Sequence, residues 1–174
     1  MFWDMRANTW EPIQTIKDAS SSITSLTIQG ASLYASALDG HVRTYDLRLG
    51  KVFDDLVGHP VNSVRPSKIG ESLLTSSQDG KVRLFDAANG SLLQTFEGHK
   101  SGRARAIWGY GEESVYAGDE DGKLWAWDVL NAKAVEVGGR ACHKKAITWL
   151  EMHPNGKELV TASAGMSGIQ QKCA

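Results

Sequence analysis

The 174-residue chain contains little cysteine, no long apolar run and almost no net charge. Its two cysteines, Cys142 and Cys173, are too few for the disulfide framework of a small secreted domain. No apolar run approaches the roughly 18 residues that cross a bilayer. The opening residues, MFWDMRANTW, have neither the apolar core nor the cleavage site of a signal peptide. These absences predict a soluble intracellular protein that does not contact a membrane.

The charges are nearly balanced, with 19 Lys and Arg residues against 20 Asp and Glu residues. A formal net charge of -1 produces no global field that would attract nucleic acid or an anionic membrane. We therefore expect no direct binding of nucleic acid. Hydrophobic residues make up 41% of the chain, which is enough for one or two ordinary domains with a real core.

A short pattern recurs along the chain at a nearly constant spacing. An Asp-Gly pair is followed within a few residues by an aromatic residue and Asp, and successive Asp-Gly pairs are 40 and 42 residues apart. The copies are Asp39-Gly40 with Tyr45-Asp46, Asp79-Gly80 with Phe85-Asp86, and Asp121-Gly122 with Trp127-Asp128; Trp3-Asp4 extends the series backwards by 42 residues. Chance is a poor explanation for four phased copies, and a period near 40 is typical of WD repeats.

The stretch from His59 to His99 contains one complete repeat. It begins and ends with a Gly-His pair and holds four short apolar runs, separated by Ile69-Gly70, Asp79-Gly80 and Asn89-Gly90. Apolar runs separated by such turn residues predict short antiparallel strands. Four strands of this kind form one blade of a WD-repeat β-propeller.

The same division applied to the whole chain predicts an all-β fold, a WD-repeat β-propeller segment of four-stranded antiparallel blades. We expect three full blades, two half-blades and a disordered tail. The ranges are 1–16 for a half-blade with strands three and four, 23–57, 61–97 and 104–137 for the blades, 146–163 for a half-blade with strands one and two, and 164–174 for the tail. The two halves could join and close a four-bladed ring, but about seven blades are usual, which favours part of a larger propeller.

Several polar residues recur in phase with the repeat and are predicted to form a structural hydrogen-bond network in each blade. A tight turn buries polar groups beside the next blade, and these groups need partners. The predicted members are Asp39, Tyr45, His59, Thr75, Asp79, His99, Asp121 and Trp127. Phe85 has no donor, so the relay of the second repeat should end at Thr75. The third repeat has Ala117 in place of the hydroxyl, and the fourth has His143 and Thr161 but Gly165 in place of the Asp.

Three catalytic or metal-binding interpretations compete with a structural role, and each is weaker. His59 and Asp79 could form a catalytic dyad, but their recurrence in phase with the fold favours structure. Cys142-His143 lacks the four spaced ligands of a zinc site. The turn at 119–122 lacks the further oxygen ligands of a calcium loop. The sequence therefore predicts no catalytic residue, no metal and no cofactor.

Four residues are candidates for binding a partner protein. Trp10 and Trp108 could be exposed aromatic anchors, although packing inside the propeller is the more ordinary role for tryptophan. Arg6 and Arg48 each follow an aromatic-Asp pair by two residues, where a guanidinium can pair with a partner's carboxylate. This pattern resembles the one by which some WD-repeat proteins dock on the adaptor of cullin-RING ubiquitin ligases. The alternative is that each Arg pairs locally with the repeat Asp.

Three segments, 11–15, 39–64 and 76–100, resemble the mitogen-activated protein kinase organizer family of WD-repeat proteins. The resemblance extends from Phe2 to Thr161 and corresponds to the later part of that propeller. It implies a cytoplasmic and nuclear scaffold without catalytic residues. Its implied partners are components of the extracellular-signal-regulated kinase cascade or splicing factors. A substrate receptor of a cullin-RING ubiquitin ligase, using Arg6 and Arg48, is the alternative function, and an enzyme is disfavoured.

Overall fold

The computed structural model of the chain describes residues 1–137 and 141–165. These residues form antiparallel β-sheets, which confirms the predicted all-β class and the four-stranded blades. The first sheet contains β1 (Ile23–Gln29), β2 (Ser32–Ala37), β3 (His41–Asp46) and β4 (Lys51–Leu56). The second contains β5 (Val61–Pro66), β6 (Ser72–Ser77), β7 (Val82–Asp86) and β8 (Leu92–Phe96).

The third sheet and a final strand pair repeat the same arrangement. The third sheet contains β9 (Ala106–Trp108), β10 (Ser114–Gly118), β11 (Leu124–Asp128) and β12 (Ala134–Val137), and the pair contains β13 (Ile147–Met152) and β14 (Leu159–Ser163). Within each sheet, consecutive strands are neighbours, so the chain runs as a meander. The single helical element among the described residues is the short 3-10 turn Tyr110–Glu112. None of those residues therefore forms a helix that could span a bilayer.

The Asp-Gly pairs sit where the repeat pattern predicts them, in the turns between the second and third strands of the sheets. Gly40, Gly80 and Gly122 adopt φ values of 85°, 77° and 77°. A side chain at such a φ would be strained, which explains the glycine. In the first two turns the Asp carboxylate also accepts the N–H of the residue two positions on, at 3.2 Å in His41 and 3.3 Å in Lys81.

Residues 1–16 differ from the expectation of two strands. Their backbone pairing consists of one antiparallel bridge between Phe2 and Gln14. Trp3 remains 47% exposed and Trp10 95% exposed, so neither tryptophan is packed as a blade residue. A hairpin without further strands has little apolar surface to bury, and such hairpins are marginal on their own. Most of the predicted tail, residues 166–174, lies outside the described residues.

Apolar side chains are buried between neighbouring sheets, in three clusters that follow one another along the chain. The first joins the first and second sheets through Tyr34, Val42, Val61, Val64 and Leu73. The second joins the second and third sheets through Leu74, Val82, Leu84, Phe96, Ala106, Val115, Ala117 and Trp127. The third joins the third sheet to the final pair through Ile107, Leu124, Ile147, Leu150 and Leu159. Each sheet therefore packs against its sequence neighbours.

The inner strands of neighbouring sheets are linked by side chains, because their edges lack a strand partner there. Thr24 Oγ1 donates to Val61 O at 2.7 Å, and Asn62 Nδ2 donates to Gly102 O at 3.2 Å. Trp108 Nε1 likewise donates to the backbone carbonyl of Arg65 at 3.2 Å. These bonds add polar links to the apolar packing between consecutive sheets.

Candidate interaction surface

An arginine pairs with the Asp of each of the first two Asp-Gly turns. Arg43 Nη1 lies 3.0 Å from Asp39 Oδ2, and Arg83 Nη1 donates to Asp79 Oδ1 at 3.2 Å. Burial raises the pKa of Asp39, but hydrogen bonds from Ser20, His41 and Arg43 outweigh this effect and hold the pKa below its ordinary value. Burial also raises the pKa of Asp79, but the hydrogen bond and the positive charge of Arg83 outweigh it, so the pKa lies below its ordinary value. Both turns are thus closed by an ion pair, which is buried in the first turn and partly buried in the second.

The predicted set of the second repeat is organised around Arg83, which the sequence analysis did not single out. His59 Nε2 lies 3.6 Å from Asp79 Oδ2, and the His59 side chain is 52% exposed. Thr75 Oγ1 donates to the backbone carbonyl of Arg83 at 3.4 Å. His59 therefore contacts the acid of the turn and not Thr75. A signal for this pairing exists in the sequence, because Asp-Gly-x-Val-Arg occurs at both 39–43 and 79–83.

In the third sheet, Asp119 supplies the buried carboxylate that the sequence analysis assigned to Asp121. Asp119 is 2% exposed and accepts hydrogen bonds from Lys123 N at 2.7 Å and Trp125 Nε1 at 2.9 Å. Asp121 is exposed. Trp125 pairs across its hairpin with Ala117 in the same register in which Arg83 pairs with Thr75. The indole N–H of Trp125 thus takes the place that the guanidinium of Arg83 has in the second sheet. The acceptor is Asp119, two residues before the Asp of the Asp-Gly pair.

His99, in the segment between β8 and β9, packs against Trp127 of the third sheet. The two rings meet edge to face with centroids 5.1 Å apart, and Trp127 Nε1 donates to Glu97 O at 2.9 Å. His99 is 7% exposed, and its burial lowers the pKa below 6.5 although Asp119 and Asp79 act in the opposite direction. Burial therefore disfavours the protonated form of this imidazole.

The other predicted network residues lie at separate positions in the fold. His143 Nε2 lies 2.8 Å from Thr161 Oγ1 in the final strand pair. In the first sheet, burial and then the Asp18 carboxylate raise the pKa of Tyr45. Among residues 1–137 and 141–165, no three His, Cys, Asp or Glu side chains come close enough together to hold a metal ion. The polar contacts found at these positions are pairwise.

Arg6 and Arg48 are exposed at equivalent turns after an aromatic-Asp pair. The Asp4 carboxylate accepts the backbone N–H of Arg6 at 2.8 Å, and Asp46 accepts that of Arg48 at 2.8 Å. The same local turn follows Asp86, whose carboxylate accepts Ala88 N at 2.7 Å. The Asp therefore fixes the turn through the backbone, and the side chains of Arg6 and Arg48 remain on the surface.

The two candidate tryptophan anchors lie in different surroundings. Trp10 is 95% exposed at the N-terminal hairpin. Trp108 is half-buried, packs against the cluster between the second and third sheets, and lines an open cleft of about 350 Å³ with Tyr110. Arg65 Nη2 crosses this cleft to Glu151 Oε2 at 2.6 Å. The cleft lies on the face where the first and second strands of each sheet are joined.

Comparison with known proteins first defines the class. The family described as "WD domain, G-beta repeat" matches residues 50–86 and 90–128. The computationally designed protein Ika4 superposes with a TM-score of 0.72 at 21% identity, covering 90% of this chain and 94% of that one. The designed protein Ika8 gives 0.71 at 21% identity, covering 87% of this chain and 46% of that one. These likenesses show the fold, and the chain is a WD-repeat protein.

Comparison with natural proteins then gives the relatives. An uncharacterized WD repeat-containing protein of Schizosaccharomyces pombe is 32% identical over 160 residues, covering 91% of this chain and 54% of the relative. WD repeat domain-containing protein 83 of Rattus norvegicus is 35% identical over 160 residues, covering 89% of this chain and 49% of the relative. The protein of the same name from Xenopus tropicalis is 40% identical over 165 residues, covering 92% of this chain and 50% of the relative. The chain is homologous to WD repeat domain-containing protein 83 and spans about half the length of these relatives.

Proposed function

We propose that the chain belongs to a non-enzymatic scaffold that assembles other proteins, in the manner of the mitogen-activated protein kinase organizer family. The observation that carries the proposal is the homology to WD repeat domain-containing protein 83 along about nine-tenths of the chain. The proposed partners are components of the extracellular-signal-regulated kinase cascade or splicing factors. The proposed locations are the cytoplasm and the nucleus, as the resemblance implies.

A scaffold of this kind needs no reacting group of its own. It raises the effective concentration of two bound proteins relative to each other, and that accelerates their encounter without new chemistry. The polar side chains inside the blades serve the fold in this protein, since Asp39, Asp79 and Asp119 are each engaged by a neighbouring donor. The connecting loops and turns are left to contact partners.

Affinity capture from a cell extract tests the proposal. The tagged 174-residue chain is the bait, and kinases of the cascade or splicing factors are the expected captured proteins. The matched control bait carries Leu74→Asp, which places a charge at a core position that is 1% exposed and disrupts the fold. Recovery of neither class with a folded bait, or equal recovery with the disrupted one, would overturn the proposal.

A second candidate function is a substrate receptor of a cullin-RING ubiquitin ligase. It is favoured by the exposed positions of Arg6 and Arg48, whose turns are fixed by Asp4 and Asp46. Arg6→Glu with Arg48→Glu should abolish binding of the ligase adaptor and leave the circular dichroism spectrum unchanged. Lys133→Glu with Lys157→Glu is the matched control, because both lysines are exposed elsewhere. Unchanged adaptor binding in the arginine variant would exclude this function.

A further inference from the structure

Two loop connectors flank the turn between β10 and β11. The connector at 100–103 leads from β8 towards β9, and the connector at 143–145 leads towards β13. The backbone of the turn holds both, since Glu120 N donates to Lys100 O at 2.9 Å and His143 N donates to Gly122 O at 3.1 Å. Residues far apart in sequence are thereby fixed side by side on one face of the molecule.

These connectors carry an excess of positive charge. We define the connector patch as Lys100, Arg103, Arg105, Lys144 and Lys145. Four of its five cations are exposed, and Arg105 is half-buried. Within the described part of the chain, no ion pair involves any of them. The turn between the connectors contributes two exposed acids, Glu120 and Asp121, so positive charge remains in excess.

Glu120 is already engaged in holding one connector in place. Its Oε1 accepts the backbone N–H of Gly102 at 3.2 Å. The buried hydroxyl of Ser101 accepts Ala104 N at 2.8 Å and fixes the same connector from the inside. The positively charged side chains therefore project from a backbone that is organised before any partner binds, and this lowers the entropic cost of binding.

Arg105 gives the patch a cation without a counter-charge. Its guanidinium carbon lies 4.3 Å from the centre of the Trp149 ring, and Nη2 donates to Thr24 O at 3.2 Å. Burial and then the neighbouring Arg65 lower its pKa. Arg65 is itself paired with Glu151, whereas no carboxylate of the described chain lies within ion-pair distance of Arg105. A partly desolvated guanidinium in this situation is stabilised by an incoming anion.

There is room for such a group beside the patch. An open cleft of about 400 Å³ lies between the third sheet and the final strand pair and is lined by Ser101, Arg103, Glu120 and Thr148, among others. The guanidinium of Arg103 at this cleft can donate hydrogen bonds to the carboxylate oxygens of a partner. Arg103 lines this cleft, and Lys144 and Lys145 directly precede its lining residue Ala146.

We propose that the connector patch docks an acidic segment, rich in Asp and Glu, of a partner protein. A carboxylate of that segment pairs with Arg105, and its neighbours pair with the exposed cations of the two connectors. The inference rests on the proposed scaffold function, since it gives the chemistry of one partner. A protein segment fits better than a single-stranded nucleic acid, because Arg105 covers the ring face of Trp149 that a base would stack on.

Fluorescence anisotropy with a fluorescein-labelled peptide of Glu-Glu-Gly repeats tests the proposal on the full chain. The same peptide with Gln in place of Glu is the neutral probe. Lys144→Glu with Lys145→Glu, and separately Lys100→Glu with Arg103→Glu, should each weaken the binding of the acidic peptide by roughly tenfold or more. Arg105→Gln should weaken it about tenfold. Lys133→Glu with Lys157→Glu should change it less than about twofold, and thermal unfolding verifies that every variant is folded.

Three outcomes would overturn the proposal. The first is that the acidic and the neutral peptide bind equally well. The second is that the Lys133→Glu, Lys157→Glu control loses as much affinity for the acidic peptide as the patch variants do. The third is that a single-stranded oligonucleotide of the same charge binds the patch more strongly than the acidic peptide does. The two proposals also fail separately. Patch-dependent peptide binding without capture of kinases or splicing factors would contradict the scaffold's assigned partners only. Successful capture with no binding of the acidic peptide would contradict the patch only.

Discussion

Asp119 and Asp121 lie two positions apart in one turn, and they differ in burial and in hydrogen bonding. Asp119→Ala removes the acceptor of Trp125 Nε1 and Lys123 N, and leaves two partly buried donors unsatisfied. We expect it to lower the free energy of unfolding by about 1–3 kcal/mol. Asp121→Ala is the matched control at an exposed position and should cost less than about 0.5 kcal/mol. Urea denaturation measures both, and equal losses would contradict the assignment of the buried role to Asp119.

His99 makes the stability of the fold depend on pH. Burial lowers its pKa below the 6.5 of the unfolded chain, so the unfolded state binds the proton more readily. Stability should therefore be complete above about pH 6.5 and fall as the pH decreases towards the lower pKa of the folded state. His99→Asn should flatten this dependence in thermal unfolding between pH 7.5 and pH 5.5, as compared with the wild-type chain. His153→Asn, at an exposed histidine, is the control and should leave the dependence unchanged.

At the scale of single residues, the sequence predicts the positions of some residues in the turns but not their contacts. The repeat predicts where Asp39 and Asp79 lie, because a period near 40 and an Asp-Gly pair specify a turn without any tertiary information. The recurring Asp-Gly-x-Val-Arg segment marks Arg83, but it does not by itself show that the guanidinium reaches Asp79, since that depends on the conformation of a long side chain. Nor does it separate Asp119 from Asp121, because burial of one acid depends on the replacement of Arg83 by Trp125 at the same register position.

Among the strands and turns, Gly122 lies directly against the backbone of the connector that leads to β13. A Cβ at this position would lie 2.0 Å from His143 O, whereas a Cβ at Gly30 would meet nothing within 4 Å. Both glycines have positive φ, of 77° and 58°. Gly30→Ala should therefore cost only the backbone strain, about 1 kcal/mol. Gly122→Ala adds a steric clash and should cost roughly 1–3 kcal/mol more. Denaturation of the two variants compares them, and equal costs would show that the connector gives way freely.

Strands could be predicted from the sequence where one repeat contains all four neighbouring strands of a sheet, and were predicted less well elsewhere. The three complete sheets follow from alternating apolar runs and turn residues, both of which are local in sequence. Residues 1–16 carry the same Trp-Asp signature, but in the structure they form one bridge between Phe2 and Gln14. A strand is stabilised by the strands beside it, and the Trp-Asp signature alone does not supply those neighbours.

At the scale of the whole molecule, the packing is a chain of nearest-neighbour interfaces. Each buried cluster joins two consecutive sheets, in the order in which the sheets follow in the sequence. Stability is then approximately the sum of the sheets and the interfaces between them. The connector patch has the same origin, because it needs two consecutive repeats to bring its cations together. Sequence reasoning missed it for this reason, since each connector alone carries only two Lys or Arg residues.

Removing the two ends of the chain should therefore have unequal consequences. Deletion of residues 1–16 removes a hairpin with one backbone bridge and exposed tryptophans, and we expect only a small fall in the thermal unfolding midpoint. Truncation after Val137 removes β13 and β14, and exposes Ile107 and Leu124, which are 3% and 0% exposed in the intact chain. Burying two such side chains stabilises a fold by about 3–6 kcal/mol.

Circular dichroism melts of the two truncated chains beside the intact one measure this difference. The expected order of midpoints is the intact chain, then the N-terminal deletion close to it, then the C-terminal truncation well below both. Leu150→Ala serves as the control for the second truncation, because it removes one buried side chain of the same interface without shortening the chain, and should cost about 2–5 kcal/mol. Equal midpoints for the two truncations would mean that the buried interfaces between consecutive sheets do not determine the stability of the chain. The chain would then hold together through the linked inner strands at its axis.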